Sequence, residues 1–471
     1  LVLRDGRSPL IRSSNQRAEN SYSRTSACRC VLYHYLVAKD EKSPQGDFFV
    51  KIRKVISAQM NNFHQKIKDR DPKSVYYLLT FLTDFAMSLI FVTYILFLLD
   101  KGLDLFQVNL VNFAFMFSSF IFEIPTGAYA DYFGRKKSII ISSALMICMF
   151  TIYFFSSSFI FFIIAELFAA LATTFASGAL DAWIIDKLEE NKYTGKVDFV
   201  FSQANIIGRF ATVVGGLIGA YIANVSLELP FAFGAVISLI ALMVAIIFVK
   251  NDFGAKKKAI GFGLSQMMTI AKDSISYGMK HPVILWLILS SVVSMFAFMP
   301  LNMFWTPRLN DLAGNQIWLL GWVWVGFSLM MMAGGYAINY LLKKQKSYSY
   351  ILIVMAIILA LPIMAISYSN TFIVVLIGFL MHEFGRGMQR PIQKAYLNKF
   401  IPSDKRATIL SFDSAMGKLG GAFGLLILGW IGKNQSIQFS WLLSGIILFA
   451  LIFFYAKANR NSLREAKTNL S

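Results

Sequence analysis

The sequence predicts an all-α integral membrane protein, twelve transmembrane helices in two pseudo-symmetric six-helix bundles, and three observations predict it. Of 471 residues, 56 % are hydrophobic and 15 % charged, and the mean hydropathy is +0.57, more apolar surface than a soluble core can bury. The apolar residues gather in twelve runs close to the roughly 20 residues needed to cross the hydrocarbon layer. The longest interruption, Lys250 to Pro282, is basic and leaves six runs on either side.

In the first half the runs are Val75–Leu99, Val108–Tyr129, Ser138–Phe155, Phe159–Ile184, Phe201–Val225 and Pro230–Val249. The second half gives Val283–Met303, Ile317–Leu342, Tyr350–Ser367, Phe372–Gly387, Thr408–Ile431 and Phe439–Tyr455. Alternate loops carry the bases: Arg135, Lys136 and Lys137, then Lys187, Lys192 and Lys196, then the linker run Lys256-Lys257-Lys258, then Lys343 and Lys344, then Arg390 to Arg406. The intervening loops hold only Lys101, Arg308 and Lys433. Positive loops stay inside, so both termini are expected in the cytoplasm.

The expected organisation is a bundle over residues 60–249, a cytoplasmic linker over 250–282 bearing a short amphipathic surface helix, a bundle over 283–457 and a tail over 458–471. Residues 1–59 are Arg- and Ser-rich and contain no methionine before Met60. They read as an over-extended reading frame or as a disordered basic tail. No signal-peptide core is evident there.

The net charge of +19 does not mark a nucleic-acid binder, because the bases sit in short loops between apolar runs rather than along one polar face. Cys28, Cys30 and Cys148 give neither a disulfide framework nor zinc spacing. His34, His64, His281 and His382 form no HExxH, and there is no phosphate-loop, dinucleotide or nucleophile-elbow pattern. An enzyme, a metal and a cofactor are therefore not expected.

The halves match at an offset of about 208 residues: Gly127, Asp131, Gly134, Arg135 and Lys136 fall on Gly335, Asn339, Leu342, Lys343 and Lys344. The first copy is the strongest local signal, Gly127-Ala-Tyr-Ala-Asp131-Tyr-Phe-Gly134-Arg135-Lys136-Lys137. A basic loop alone would explain its charge but not its spaced glycines and Asp131. Glycines permit close helix approach and a tight turn, and an aspartate suits a neighbouring helix N-terminus.

This loop resembles the signature G-x-x-x-D-x-x-G-[RK]-[RK] of the major facilitator superfamily, and the resemblance runs from about Val75 to Tyr455. Glu123-Ile-Pro125-Thr126-Gly127 and Ser177-Gly178-Ala179-Leu180-Asp181-Ala182 are similar to patterns of its bacterial drug-efflux-like members. Trp305-Thr306-Pro307 and Arg386-Gly387 through Thr408 extend the likeness. One departure stands: Gly215-Gly216-Leu217-Ile218-Gly219-Ala220 lacks the proline and final glycine of the antiporter stretch G-P-x-x-G-G.

The resemblance implies a cavity between two bundles that opens alternately to each side. Intramembrane charges are costly and so are functional candidates. Asp84 and Arg209 both lie about 14 Å deep on helices of one bundle. They are expected to pair, either as a proton site tuned by the arginine or as a structural lock. Glu383 and Lys418 would mirror them, with His382 as a neighbour. Glu166 would contact a cationic substrate or make a packing hydrogen bond. Glu123, Asp181 and Asp186, implied to lie near Arg135, would form a gate with Gly127, Asp131, Gly134 and Lys136. Trp305, Trp318, Trp322 and Trp324 read as an interfacial belt, with stacking on a cation as the alternative.

The expected function is proton-coupled efflux of amphipathic or cationic small molecules, by a monomer in the bacterial inner membrane. The alternatives are a symporter taking up a sugar, peptide or organic acid, and a non-transporting receptor. Few polar residues are in place for the symporter (Gln203, Asn205, Asn302), and no soluble domain for the receptor.

Overall fold

The computed structural model describes residues 71–250, 272–273, 275–344, 348–402 and 405–468, and the statements below concern those residues. The N-terminal extension and the expected surface helix of the linker lie outside them. The first half contains α1 (Pro72–Phe91), α2 (Tyr94–Asp100), α3 (Leu105–Phe133), α4 (Arg135–Phe155), α5 (Phe159–Ala176), α6 (Ala179–Glu190), α7 (Val197–Ala223) and α8 (Leu229–Phe248). The second contains α9 (Pro282–Leu312), α10 (Ile317–Lys344), α11 (Tyr348–Ile366), α12 (Phe372–Asn398), α13 (Arg406–Asn434), α14 (Ile437–Phe449) and α15 (Leu451–Thr468).

Local chemistry sets the helix ends. Asp71 caps α1 by accepting the Lys73 N–H at 3.2 Å, and Pro72 occupies a first-turn position that needs no N–H partner. A capping box opens α3: Asp104 accepts the N–H groups of Phe106 and Gln107, and Gln107 returns a bond to the Asp104 N–H, each 2.9 Å. Gly134 alone joins α3 to α4 at φ 100°, a conformation that a β-carbon disfavours.

Three expected spans prove to be helix pairs. The first breaks between Phe91 and Tyr94, the fourth at Ser177-Gly178, where Gly178 has φ 72°, and the last at Ala450. In contrast, α9 passes through Pro300 and Pro307 and runs well beyond the expected end at Met303. Pro300 is buried, so protein rather than lipid surrounds the disturbed backbone.

Eleven stretches among the described residues are long and apolar enough to cross a membrane. The tenth expected span, within α12, is not among them, because Glu383, Arg386, Arg390 and Lys394 lower its apolar content. Its polar face turns inward, where His382, Glu383, Gln389 and Gln393 are buried.

The packing repeats between halves. In the first, α1 packs on α7 and α8, α4 on α5 and α8, and α3 on α5. In the second, α9 packs on α13, α14 and α15, α11 on α12 and α14, and α10 on α12. Glycines bring the central pairs together: a β-carbon at Gly219 of α7 would collide with the Leu89 carbonyl oxygen of α1, and one at Gly424 of α13 with that of Phe296 on α9. Two long seams, α3 on α13 and α7 on α10, and a smaller contact of α2 on α9 join the bundles.

Loop contacts mark two ends. On the terminus side, the Tyr76 hydroxyl donates to Asp181 at 2.7 Å, Trp183 donates to the Lys250 carbonyl at 3.3 Å, and His281 lies 3.5 Å from Glu465. On the far side, Lys101 pairs with Glu228 at 2.5 Å and Lys433 with Asp104 at 2.8 Å, the second pair bridging the bundles.

Candidate functional site

Between the bundles lies a cavity of about 580 Å³, walled by residues of α1, α2, α3, α4, α5, α7, α9, α10 and α12. Aromatic side chains cover much of the wall, among them Phe91, Trp305, Trp324 and Phe327. Its charged residues are Asp84, Glu166, Glu383, Arg209 and Arg386. A second cavity, of about 640 Å³, shares Asp84 and Arg209 and reaches Tyr76 and Asp181 on the terminus side.

Asp84 projects from α1 against α7, where the absent side chain of Gly208 makes room for its carboxylate. Arg209 shares the cavity wall but is not in ion-pair contact with Asp84. Its Nη1 instead reaches Met331 Sδ of α10 at 3.7 Å. The expected partners thus meet in one cavity without touching.

Glu166 is only 7 % exposed. Its Oε1 accepts the hydroxyls of Tyr94, at 2.6 Å, and Tyr153, at 2.5 Å, and these hydroxyls are 2.9 Å apart. The packing hydrogen bond expected for Glu166 is present, and the residue also faces the cavity.

The expected Glu383–Lys418 pair is not formed. Glu383, 5 % exposed, accepts Arg386 Nη1 at 2.6 Å, one turn away on the same helix, and Arg386 also donates to Asn302 at 2.9 Å. Lys418 crosses to the other bundle and pairs with Glu123 at 2.5 Å. The i, i+3 geometry of α12 offers Glu383 a nearer cation than α13 does. His382 does not line the cavity: it is 1 % exposed, Nδ1 lies 2.9 Å from the Leu359 carbonyl, and Phe298 and Phe379 flank the ring. A carbonyl only accepts, so Nδ1 carries the proton.

A cavity within a duplicated helical bundle fits the sequence comparisons. The family model described as Major Facilitator Superfamily matches residues 76–388 and 348–470. This chain belongs to the major facilitator superfamily. It is 23 % identical over 391 residues to the uncharacterized MFS-type transporter YxaM of Bacillus subtilis (strain 168), covering 81 % of this chain and 94 % of that one. It is 24 % identical over 412 residues to the quinolone resistance protein NorA of Staphylococcus aureus, covering 83 % and 98 %. Among solved structures, the nucleoside transporter NupG superposes with a TM-score of 0.68 at 14 % identity, over 82 % of this chain and 99 % of that one, a likeness of fold. The protein is a multi-pass membrane transporter of this superfamily rather than an enzyme.

The superfamily loop is only partly a gate cluster in this conformation. Arg135 pairs with Asp186 and donates to the Ala182 carbonyl, tying α4 to α6. Lys136 reaches the Ile246 carbonyl at 3.0 Å. Asp181 is held by Tyr76 rather than by Arg135. Glu123 departs further from expectation: ten residues before the end of α3, it sits about 15 Å from the loop, on Lys418 and Ser177. Gly134 makes the expected turn, whereas a β-carbon at Gly127 would meet nothing within 4 Å, so no helix approaches there. The side chain of Asp131 lies outside the described residues.

The belt reading divides. Trp322 is 51 % exposed and donates to the Tyr221 hydroxyl at 3.1 Å, and Trp318 lies beside it on the exposed surface. Trp305, 6 % exposed, and Trp324 line the cavity as a stacked pair with ring centroids 6.5 Å apart, and Trp324 donates to the Thr212 carbonyl. Sequence reasoning also missed Tyr94 and Tyr153 as partners of Glu166, Arg386 as that of Glu383, and the Glu123–Lys418 bridge. Only Arg386 carried a local signal, its i, i+3 spacing from Glu383.

Proposed function

We propose that this transporter exports amphipathic, cationic compounds in exchange for protons, by alternating access of the central cavity. The observation that carries the reading is the composition of the cavity wall, in which aromatic side chains and three carboxylates line one space. Aromatic faces and carboxylates both favour a cation carried on an apolar body. The likeness to a quinolone resistance protein over nearly its whole length points the same way.

Asp84, Glu166 and Glu383 are the candidate proton carriers, with Arg209 and Arg386 as the cations that balance two of them. The Gly127–Lys137 loop, with Asp181 and Asp186, acts as the gate on the terminus side. Basic loops at that end support a cytoplasmic side, and the bacterial inner membrane is the proposed location.

The test is proton movement in proteoliposomes holding an imposed pH gradient. Lipophilic cations such as ethidium are expected to dissipate the gradient with the wild type and to lose that effect with Asp84→Asn. A gradient that responds instead to a sugar or an organic acid replaces export by uptake.

A further inference from the structure

The second cavity lies within the first bundle alone, between α1, α4, α5, α6 and α7. Every hydroxyl-bearing side chain on its wall already donates its hydrogen to another oxygen of the protein. The threonines do so one turn back along their own helices, Thr83 to the Leu79 carbonyl at 2.8 Å and Thr173 to that of Ala169 at 2.9 Å. Ser143 donates to the Ile139 carbonyl at 3.0 Å, and Ser142 reaches across to the Ala172 carbonyl at 2.7 Å. A hydroxyl carries one hydrogen, so what these groups have left to offer is lone pairs. Asn205 is held the same way, its amide donating to the Phe201 carbonyl at 2.9 Å.

The charges on this wall are Asp84, Asp181 and Arg209, which together leave one negative charge unbalanced. Asp181 accepts only a neutral phenol, that of Tyr76 at 2.7 Å, among the described residues. Tyr76 and Phe201 are the wall's aromatic residues, so the chamber lacks the tryptophan-rich surface with which the central cavity could hold an apolar body. Its chemistry suits a small bare cation rather than an organic one.

The second half shows what such a wall requires. At the 208-residue offset Thr83 falls on Ser291, Asn205 on Asp413 and Asp181 on Gln389. There the chain supplies the donors itself: Ser291 donates to Asp413 at 2.6 Å, Gln393 Nε2 to Ser291 at 2.7 Å and Gln389 Nε2 to Ser294 at 2.7 Å. The first half keeps the acceptors and has no such glutamines on the wall.

We propose that the first bundle holds a site for one hard monovalent cation of the sodium class, bonded by oxygens of Asp84, Thr83, Ser143, Thr173 and Asn205. Hard cations take oxygen ligands, and one monovalent ion balances the charge that is costly at membrane depth. Asp84 and Thr173 line both cavities, so the ion sits behind the wall of the central one. Bonded to oxygens of α1, α4, α5 and α7, it ties those helices together. The inference goes beyond the export reading and holds whichever solute the central cavity carries.

The full chain in detergent, with no substrate added, is titrated with radiolabelled sodium at an ionic strength kept constant with choline chloride. Saturable binding of one ion per chain is expected, displaced by unlabelled sodium or lithium but not by choline. Sodium should also raise the melting temperature relative to choline. Thr83→Val and Ser143→Ala each remove one oxygen without changing charge, and each should weaken sodium binding on the order of tenfold. Ser294→Ala, in the second bundle, should leave it unchanged.

A wild type that binds no sodium, or whose signal choline removes equally well, overturns the site and leaves a chamber for water. Sodium binding that both Thr83→Val and Ser143→Ala keep at full strength overturns its assignment to this chamber. The wild-type titration decides the first point even where a variant does not fold. Ethidium plays no part in the titration, so the cation site and the export reading fail separately.

Discussion

Buried charges in this protein are placed by their nearest donors, and the partners read from sequence depth were wrong where a shorter route existed. Glu383 illustrates this. Its Oε1 is bonded to Arg386, and its Oε2 is buried with no partner. Removing the cation strands a buried carboxylate, so Arg386→Ala should destabilise the protein by roughly 3–5 kcal/mol. Chemical unfolding in detergent measures the loss, and adding Glu383→Leu should restore most of it. A single variant as stable as wild type would mean that the pair does not hold the bundle together. At this scale the sequence singled out Asp84, Arg209, Glu166 and Glu383 because intramembrane charge is rare and conspicuous, and all four line the cavity. Their partners were illegible: Glu166 meets Tyr94 and Tyr153 across intervals of 72 and 13 residues, and nothing in linear order links them.

Helix existence was legible throughout, since apolar length is a property of composition. Helix breaks and contacts were less so. Gly178 and Gly134 take positive φ values that a sequence hints at by residue type alone, whereas the break after Phe91 has no glycine or proline to announce it. The glycines also sort by what they face. Gly219 and Gly424 lie against backbone carbonyls, which cannot move aside, while Gly127 faces open space in this conformation. Gly219→Val and Gly424→Val should each cost about 1–3 kcal/mol through overpacking. Gly127→Ala should change stability by less than that, or raise it by up to about 1 kcal/mol through helix propensity. Melting temperatures of the three variants provide the comparison. A Gly127→Ala loss as large as that of Gly219→Val would mean that the loop signature packs tightly after all.

At the scale of the whole molecule, the bundles are latched on the far side by Asp104 and Lys433. Burial raises the Asp104 carboxyl, but the Lys433 ammonium and the N–H groups of Gln107 and Phe106 outweigh it and hold the group below the usual carboxylate range. Glu228 is pulled further, to about 2, by Lys101 and Ser226, within the first bundle. A lowered value in the folded state means that the Asp104 latch contributes fully above the ordinary carboxylate value. Its contribution is lost as pH falls through the lowered one. Acid on the far side should therefore loosen the closure. Salt should do the same, because the pair is partly exposed. Maleimide labelling of Asn109→Cys, in a background without Cys28, Cys30 and Cys148, should accelerate on acidification. Lys433→Ala should label rapidly at every pH. Labelling of Asn109→Cys that is slow and identical with and without Lys433 would assign the closure to the apolar packing instead.

The two-bundle plan was readable from the linker and the 208-residue offset, although the second loop copy had lost most of its residues. What survived better is the joint between central helices: Gly219 beneath Leu89 in one half, Gly424 beneath Phe296 in the other. A joint cut twice to one pattern in a single chain is the mark left when a six-helix gene is copied and fused to itself. In genealogical terms the halves are siblings. Fusion freed each half to collect its own charges: Glu166 on one side, Arg386 on the other.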